Sequence, residues 1–403
     1  MKPSRFLDRT TPPHIATLIL LAGLSALAMN IFLPSLPGMA AYFDVPYSLM
    51  QLSVALYLAL SAVMQVIIGP VSDALGRRRV LLGSLVLFLI ATAGTLLAPT
   101  ATIFLIFRMA QAVIAAGMVL SRAVVRDMVP DAQAASMIGY VTMGMSIVPM
   151  IGPVIGGLLD ETFGWHANFG LLMLLGIATL ALTWADLGET ATLRRISLRD
   201  QIRSYPTLLK SQRFWGYVLC ASFTAGTFYA YLGGAPYVGN VVFGLTSSQI
   251  GLLFAITAVG YAGGNFVAGR YSVRLGMNRM ILIGSLFTMA GLALLLVLTL
   301  AGVHSALVFF GCTIFVGAGN GMTLPNANAG MLSVRPELAG TASGLGGAIQ
   351  IGGGAGIAAL AGALLGPGSD EMPLVALMLA CAVASLGAIY WVMRRAKAIG
   401  LAS

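Results

Sequence analysis

Along this chain the hydrophobic positions neither alternate in twos nor recur every third and fourth residue; they run in long uncharged blocks separated by short polar stretches. At about 1.5 Å of rise per residue, roughly 20 apolar residues cross the ~30 Å hydrocarbon layer of a bilayer. Twelve blocks of that size follow one another, numbered here as spans: Ile15–Leu36 (1), Tyr47–Val71 (2), Val80–Ala98 (3), Thr102–Ser121 (4), Ala134–Leu159 (5), Asn168–Ala185 (6), Phe214–Tyr237 (7), Ser248–Gly269 (8), Met280–Ala301 (9), Ala306–Gly330 (10), Ala339–Gly366 (11) and Pro373–Met393 (12). A backbone in hydrocarbon has to satisfy its own amide groups, and blocks this long and uniform are helices rather than barrel strands. The predicted fold class is all-α integral membrane.

Composition removes the alternatives. Hydrophobic residues make up 58% of the 403 and charged residues 9%, where soluble chains carry about 25% charged residues. No water-facing surface can be assembled from that supply, which excludes a soluble enzyme, and disorder needs low hydrophobicity. Basic residues before span 1 resemble a secretory leader, but the block is too long for a signal core and a retained first helix is expected. Cys220, Cys312 and Cys381 lie inside spans without metal-ligand spacing and read as packing residues, so no metal is expected.

Scored alternately, one set of loops receives every Lys and Arg except Arg108, while the other holds Asp44, Asp160, Glu161, Asp370 and Glu371. A wrong span count would scramble this segregation. It places both termini in the cytoplasm and explains the net charge of +9 as topology rather than nucleic-acid binding. The longest polar stretch, residues 186–213, reads as a cytoplasmic linker held at the inner leaflet, with an interfacial helix around Ser197–Leu209. It joins halves 1–185 and 214–403. Gly69, Gly76 and Arg79 after span 2 recur as Gly269, Gly276 and Arg279 after span 8, which favours a duplicated six-helix unit whose halves rock about a central site.

The loop after span 2, Gly69-Pro-Val-Ser-Asp-Ala-Leu-Gly76-Arg-Arg-Arg79, resembles the signature loop of the major facilitator superfamily. Arg108-Met-Ala-Gln111 followed by Gly117 is similar to its second motif, and the run Gly144 to Gly157, with Pro149, Gly152, Pro153 and Gly156, resembles the antiporter motif of its drug-efflux branch. Leu33-Pro34-Ser-Leu-Pro37 and Arg122-Ala-Val-Val-Arg126-Asp127 are similar to the bicyclomycin and chloramphenicol resistance (Bcr/CflA) group. The resemblance implies a monomeric bacterial inner-membrane exporter of small amphiphilic drugs or metabolites, working by alternating access and proton antiport without a bound cofactor. The group often has an acid where this chain has Asn30, and an amide does not titrate. An uncoupled or uptake facilitator for a small neutral or anionic solute is therefore the alternative. A membrane enzyme would need reactive groups gathered at one depth, and the spans offer none.

Three groups of residues are candidates. At the cytoplasmic gate, the resemblance implies that Asp73 reaches the amino end of span 11, with Gly69 and Gly76 shaping the turn; Arg77, Arg79, Arg126 and Asp127 are gate partners or solvated topology charges. In span 5 the Gly152-x-x-x-Gly156 stripe faces a matching Gly260-x-x-x-Gly264 in span 8, either as a seal between halves or as ordinary kinked packing. At bilayer depth, Arg108 with Gln111 is either a structural carbonyl-bonded pair or a cavity cation. Asn30, Gln65, Tyr229, Tyr231, Asn265, Asn320, Asn326 and Gln350 are either interhelical hydrogen bonds or substrate contacts, concentrated on the spans that line the superfamily's cavity. Pro325 is expected to break span 10. A cavity with Arg108 and no acid should prefer neutral or weakly anionic amphiphiles.

Overall fold

The computed structural model describes residues 6–128, 137, 141, 148, 151–190, 205–335 and 338–398. Gly144, Pro149 and the expected interfacial helix in the linker lie wholly or mostly outside them. Among the described residues ten helices are long and apolar enough to cross a membrane; helical residues 151–163 and the helix Gln212–Tyr237 supply spans 5 and 7.

The helices run further than the apolar blocks at the basic end. Span 2 reaches Leu75, span 3 starts at Arg77, span 4 reaches Met128 and span 8 reaches Leu275. Charge ends hydropathy but not helical hydrogen bonding, and long basic side chains carry their heads to the interface. Span 1 changes pitch at its two prolines, passing from Ile15–Asn30 through the 3₁₀ turn Leu33–Ser35 into Leu36–Tyr42. Span 4 is also interrupted by a 3₁₀ turn, Gln111–Ile114. Span 10 is not broken at Pro325: the helix Ala306–Ser333 runs through it, as neighbouring helices allow in membranes.

Spans 1, 3, 4 and 6 pack on one another, as do spans 7, 9, 10 and 12, with span 8 on span 10; span 2 meets span 11 across the halves. Large side chains such as Leu97, Phe163, Phe266 and Leu307 project outward, which suits a lipid solvent.

One glycine separates span 2 from span 3, and one separates span 8 from span 9. Gly76 (φ 96°, ψ 142°) and Gly276 (φ 86°, ψ 149°) share a backbone conformation that side chains disfavour, so the repeat seen in sequence is also a repeat of geometry. Gly76→Ala and Gly276→Ala should each cost about 1–3 kcal/mol. Gly76→Ala should cost more, because a Cβ there collides with the Glu189 carboxylate that receives the Arg77 and Arg78 amides. Melting of the purified protein checks this; unchanged melting of both variants would remove the strained turn.

Candidate functional site

A cavity of about 440 Å³ lies between the halves. Each contributing helix offers a stripe at helical spacing: Ala115, Met118 and Arg122 on span 4, Tyr57, Ser61 and Gln65 on span 2, Phe254, Thr257, Tyr261 and Asn265 on span 8. Spans 1, 7, 10 and 11 complete it, so the seven spans expected to line it do so. Of the sequence candidates, Asn30, Gln65, Tyr229, Asn265, Asn320 and Gln350 are lining residues. Asn30 Nδ2 donates to the Ala26 carbonyl at 2.8 Å, while Asn30 Oδ1, Asn320 Oδ1 and Gln65 Nε2 are buried without a hydrogen-bond partner among the described residues. Among the described residues no Asp or Glu lines the cavity.

Four candidates, Arg108, Gln111, Tyr231 and Asn326, do not line the cavity. Arg108 is fully buried outside the cavity, its guanidinium packed over the rings of Phe32 (4.3 Å) and Tyr57 (4.0 Å). Its Nε donates to the Ser53 carbonyl (3.3 Å) and Nη1 to Gln111 Oε1 (2.9 Å), and Gln111 Nε2 donates to Thr92 Oγ1 (2.8 Å). Tyr57 thus faces the cavity with one side and screens Arg108 with the other. Gln111 is spent on this network. Tyr231 is buried between Phe254 and Phe310, ring centroids 4.9 and 6.3 Å away. Asn326 Nδ2 turns back onto the Met322 carbonyl (2.8 Å).

The cation that does reach the cavity is Arg122, which the sequence assigned to a loop because the apolar block stops at Ser121. The helix continues to Met128 and carries it inward. The usable signal was spacing: Ala115, Met118 and Arg122 fall on one stripe. Sequence reasoning also missed Tyr57, Ser61 and Tyr261, polar groups on the same stripes as predicted residues.

At the basic end, Asp73 makes no hydrogen bond or ion pair with span 11 among the described residues. Asp73 Oδ1 takes Arg77 Nη2 at 2.7 Å, and Arg77 Nε also reaches Asp127 Oδ2 at 3.2 Å, tying the span 2–3 turn to the end of span 4 within one half. Arg79 and Arg126 are exposed, and a Cβ on Gly69 would meet nothing. At the opposite end the halves are joined. Tyr47 Oη donates to the Gly233 carbonyl (2.5 Å), Gln51 Nε2 to Ala358 (2.5 Å) and Ser247 Oγ to Pro34 (3.3 Å). Ser248 donates to Glu161, holding that carboxyl below its ordinary range.

The small residues of span 5 divide between two neighbours. A Cβ on Gly152 or Gly156 would run into Leu27 or Ile31 of span 1, whereas one on Gly157 would run into the Ser247 backbone, and Gly251 lies against the carbonyl of Pro153. The expected partners Gly260 and Gly264 pack instead on Ile314 and Ala318 of span 10. Spans 5 and 8 do meet, but through Pro153, Gly157, Ser247 and Gly251. Backbones without side chains between them exclude water.

A buried carboxylate was also overlooked. Asp186, assigned to the linker, accepts hydrogen bonds from the amides of Leu7 and His14 (both 2.8 Å) and from Thr17 Oγ1 (2.6 Å), fastening the N-terminal segment to the end of span 6.

Residues 18–358 match the family model described as Major Facilitator Superfamily. The chain is 33% identical to the MFS-type transporter YdgK of Bacillus subtilis over 74% of this chain and 75% of that one. It is 31% identical to a chloramphenicol resistance protein of Pseudomonas aeruginosa (81% and 78% covered) and 29% identical to a bicyclomycin resistance protein homolog of Haemophilus influenzae (96% and 98% covered). Among solved structures, a mutant of the peptide transporter POT superposes with a TM-score of 0.76 at 15% identity, covering 98% of this chain and 99% of that one. A D-xylose–proton symporter superposes with a TM-score of 0.73 at 17% identity, covering 94% and 96%. The seven-span cavity, the all-helical bundle and these relatives agree: the chain belongs to the Major Facilitator Superfamily, within its branch of bicyclomycin and chloramphenicol resistance transporters.

Proposed function

We propose that this protein is an inner-membrane exporter of small amphiphilic compounds that works as a monomer by alternating access, driven by proton antiport. The observation that carries the reading is a cavity lined from both halves and sealed at one end by backbone-to-backbone contact between spans 5 and 8. With the basic turns and both termini on the cytoplasmic side, the sealed end is periplasmic, and the Asp73 latch toward span 11 is open in this state. The relatives named for chloramphenicol and bicyclomycin resistance support drug-like cargo.

Proton coupling would fall to carboxylates at the basic end, Asp73 and Asp127, both held by Arg77. The acid-free cavity favours one rival, an uncoupled facilitator. Proteoliposomes with an imposed pH gradient separate them: antiport predicts substrate flux that rises with the gradient and collapses with a protonophore. Equal flux with and without the gradient would reject antiport.

A further inference from the structure

We propose that Arg122 is an anion anchor and that the best substrates are aromatic amphiphiles carrying one carboxylate or sulfonate; this narrows the substrate of the cavity and rests on the transporter reading above. Among the described residues the lining has one cation, Arg122, and no acid. Arg122 Nε is buried and makes no hydrogen bond to any described residue. The stretch 129–150, most of which lies outside the described residues, contains a single acidic residue, Asp131. The other guanidinium at bilayer depth, Arg108, lies outside the lining: it bonds Ser53 and Gln111 behind Tyr57, and its Nη2, buried without a partner among the described residues, is walled off from the cavity.

A half-buried guanidinium whose buried Nε is an unused donor asks for a planar anion, because its donor fork matches two carboxylate or sulfonate oxygens. In the same lining, Asn30 Oδ1, Asn320 Oδ1 and Gln65 Nε2 have no hydrogen-bond partner among the described residues and suit a second, neutral polar function on the ligand. Tyr57, Phe228, Tyr229, Phe254 and Tyr261 supply the walls for an aromatic body. An organic cation would meet Arg122 with no acid to offset it, which is discrimination by repulsion as well as by attraction. An anion leaving a negative interior also moves with the membrane potential, so its export does not require a carboxylate in the cavity.

The test uses the full chain in nanodiscs for binding and in proteoliposomes for transport, with three probes on one skeleton: a naphthyl carboxylate, its neutral amide and a naphthyl trimethylammonium. Wild type should bind the carboxylate at least about tenfold tighter than either other probe. Arg122→Gln should abolish that margin while leaving amide binding within about threefold, and Arg122→Lys should keep most of it. Arg122→Met, which preserves the apolar stem, is the second neutral variant if Arg122→Gln fails to fold, and the wild-type margin decides independently of either. Equal or tighter binding of the ammonium probe, or a carboxylate margin that survives in the neutral variant, overturns the anchor. A carboxylate that binds with the predicted margin but never moves across the bilayer overturns the transporter reading and leaves the anchor standing. Transport of the amide without a carboxylate margin does the reverse.

Discussion

Gly157→Ala is expected to open the sealed end of the protein without unfolding it, whereas the same change one residue earlier, Gly156→Ala, is expected to destabilise the fold. The two glycines are neighbours on one helix, but they face different partners. A Cβ on Gly156 lands on the carbonyl of Ile31 in span 1, a contact inside one half, and a backbone carbonyl cannot rotate away. Overpacking of this kind costs about 1–3 kcal/mol and must lower melting in every state of the transport cycle. A Cβ on Gly157 lands on the carbonyl of Ser247 in span 8, across the halves, so a similar penalty applies only while that end is closed. In a two-state equilibrium a penalty of about 1–3 kcal/mol shifts the populations roughly 5–150-fold. The readout is thiol labelling by a membrane-impermeant reagent at Ser248→Cys, with the native cysteines buried and slow to react. Gly157→Ala should speed labelling at least about fivefold with melting near wild type. Unchanged labelling in a variant that still folds would mean that the seal lies elsewhere.

What the sequence made legible follows from how local each signal is. Helices could be read because lipid imposes one rule on every residue of a block, and the lining spans could be named because the family resemblance supplied them and the polar groups at bilayer depth, amides and tyrosines, concentrate on them. The turns at Gly76 and Gly276 were legible because a positive φ leaves so few residues to choose from. Relations between helices were not. Gly152-x-x-x-Gly156 and Gly260-x-x-x-Gly264 look like mates, yet each packs on a different neighbour, since a small-residue stripe states that something comes close without stating what. Arg108 and Arg122 exchanged roles for a similar reason. Hydropathy put Arg108 in the interior and Arg122 in a loop, while helix continuation to Met128 and the rings of Phe32 and Tyr57 put the first behind a wall and the second in the cavity. Asp186 was read as the start of a polar linker because its partners, Leu7, His14 and Thr17, lie about 170 residues away in sequence.

Arg108→Ala is expected to lose stability rather than selectivity, the opposite of a neutral replacement at Arg122. The guanidinium of Arg108 fills the space between Phe32 of span 1 and Tyr57 of span 2, and it bonds the Ser53 carbonyl and Gln111. Truncation leaves a cavity of several heavy atoms where three spans meet. It removes two ring contacts worth about 0.5–2 kcal/mol each, and it strips Gln111 Oε1 of its donor at about 1–3 kcal/mol. With partial relaxation the sum is about 3–5 kcal/mol, a large part of the stability of a typical domain. Arg108→Lys should recover only part of it, because an ammonium cannot lie flat between two rings while bonding Ser53 and Gln111. Melting and the yield of monodisperse protein should therefore fall sharply for Arg108→Ala and less for Arg108→Lys. The molecules that remain folded should keep ligand affinity within about threefold of wild type, because Tyr57 still stands between position 108 and the cavity. A variant with wild-type melting and abolished binding would return Arg108 to the substrate's surroundings and require Tyr57 to swing aside when the ligand enters.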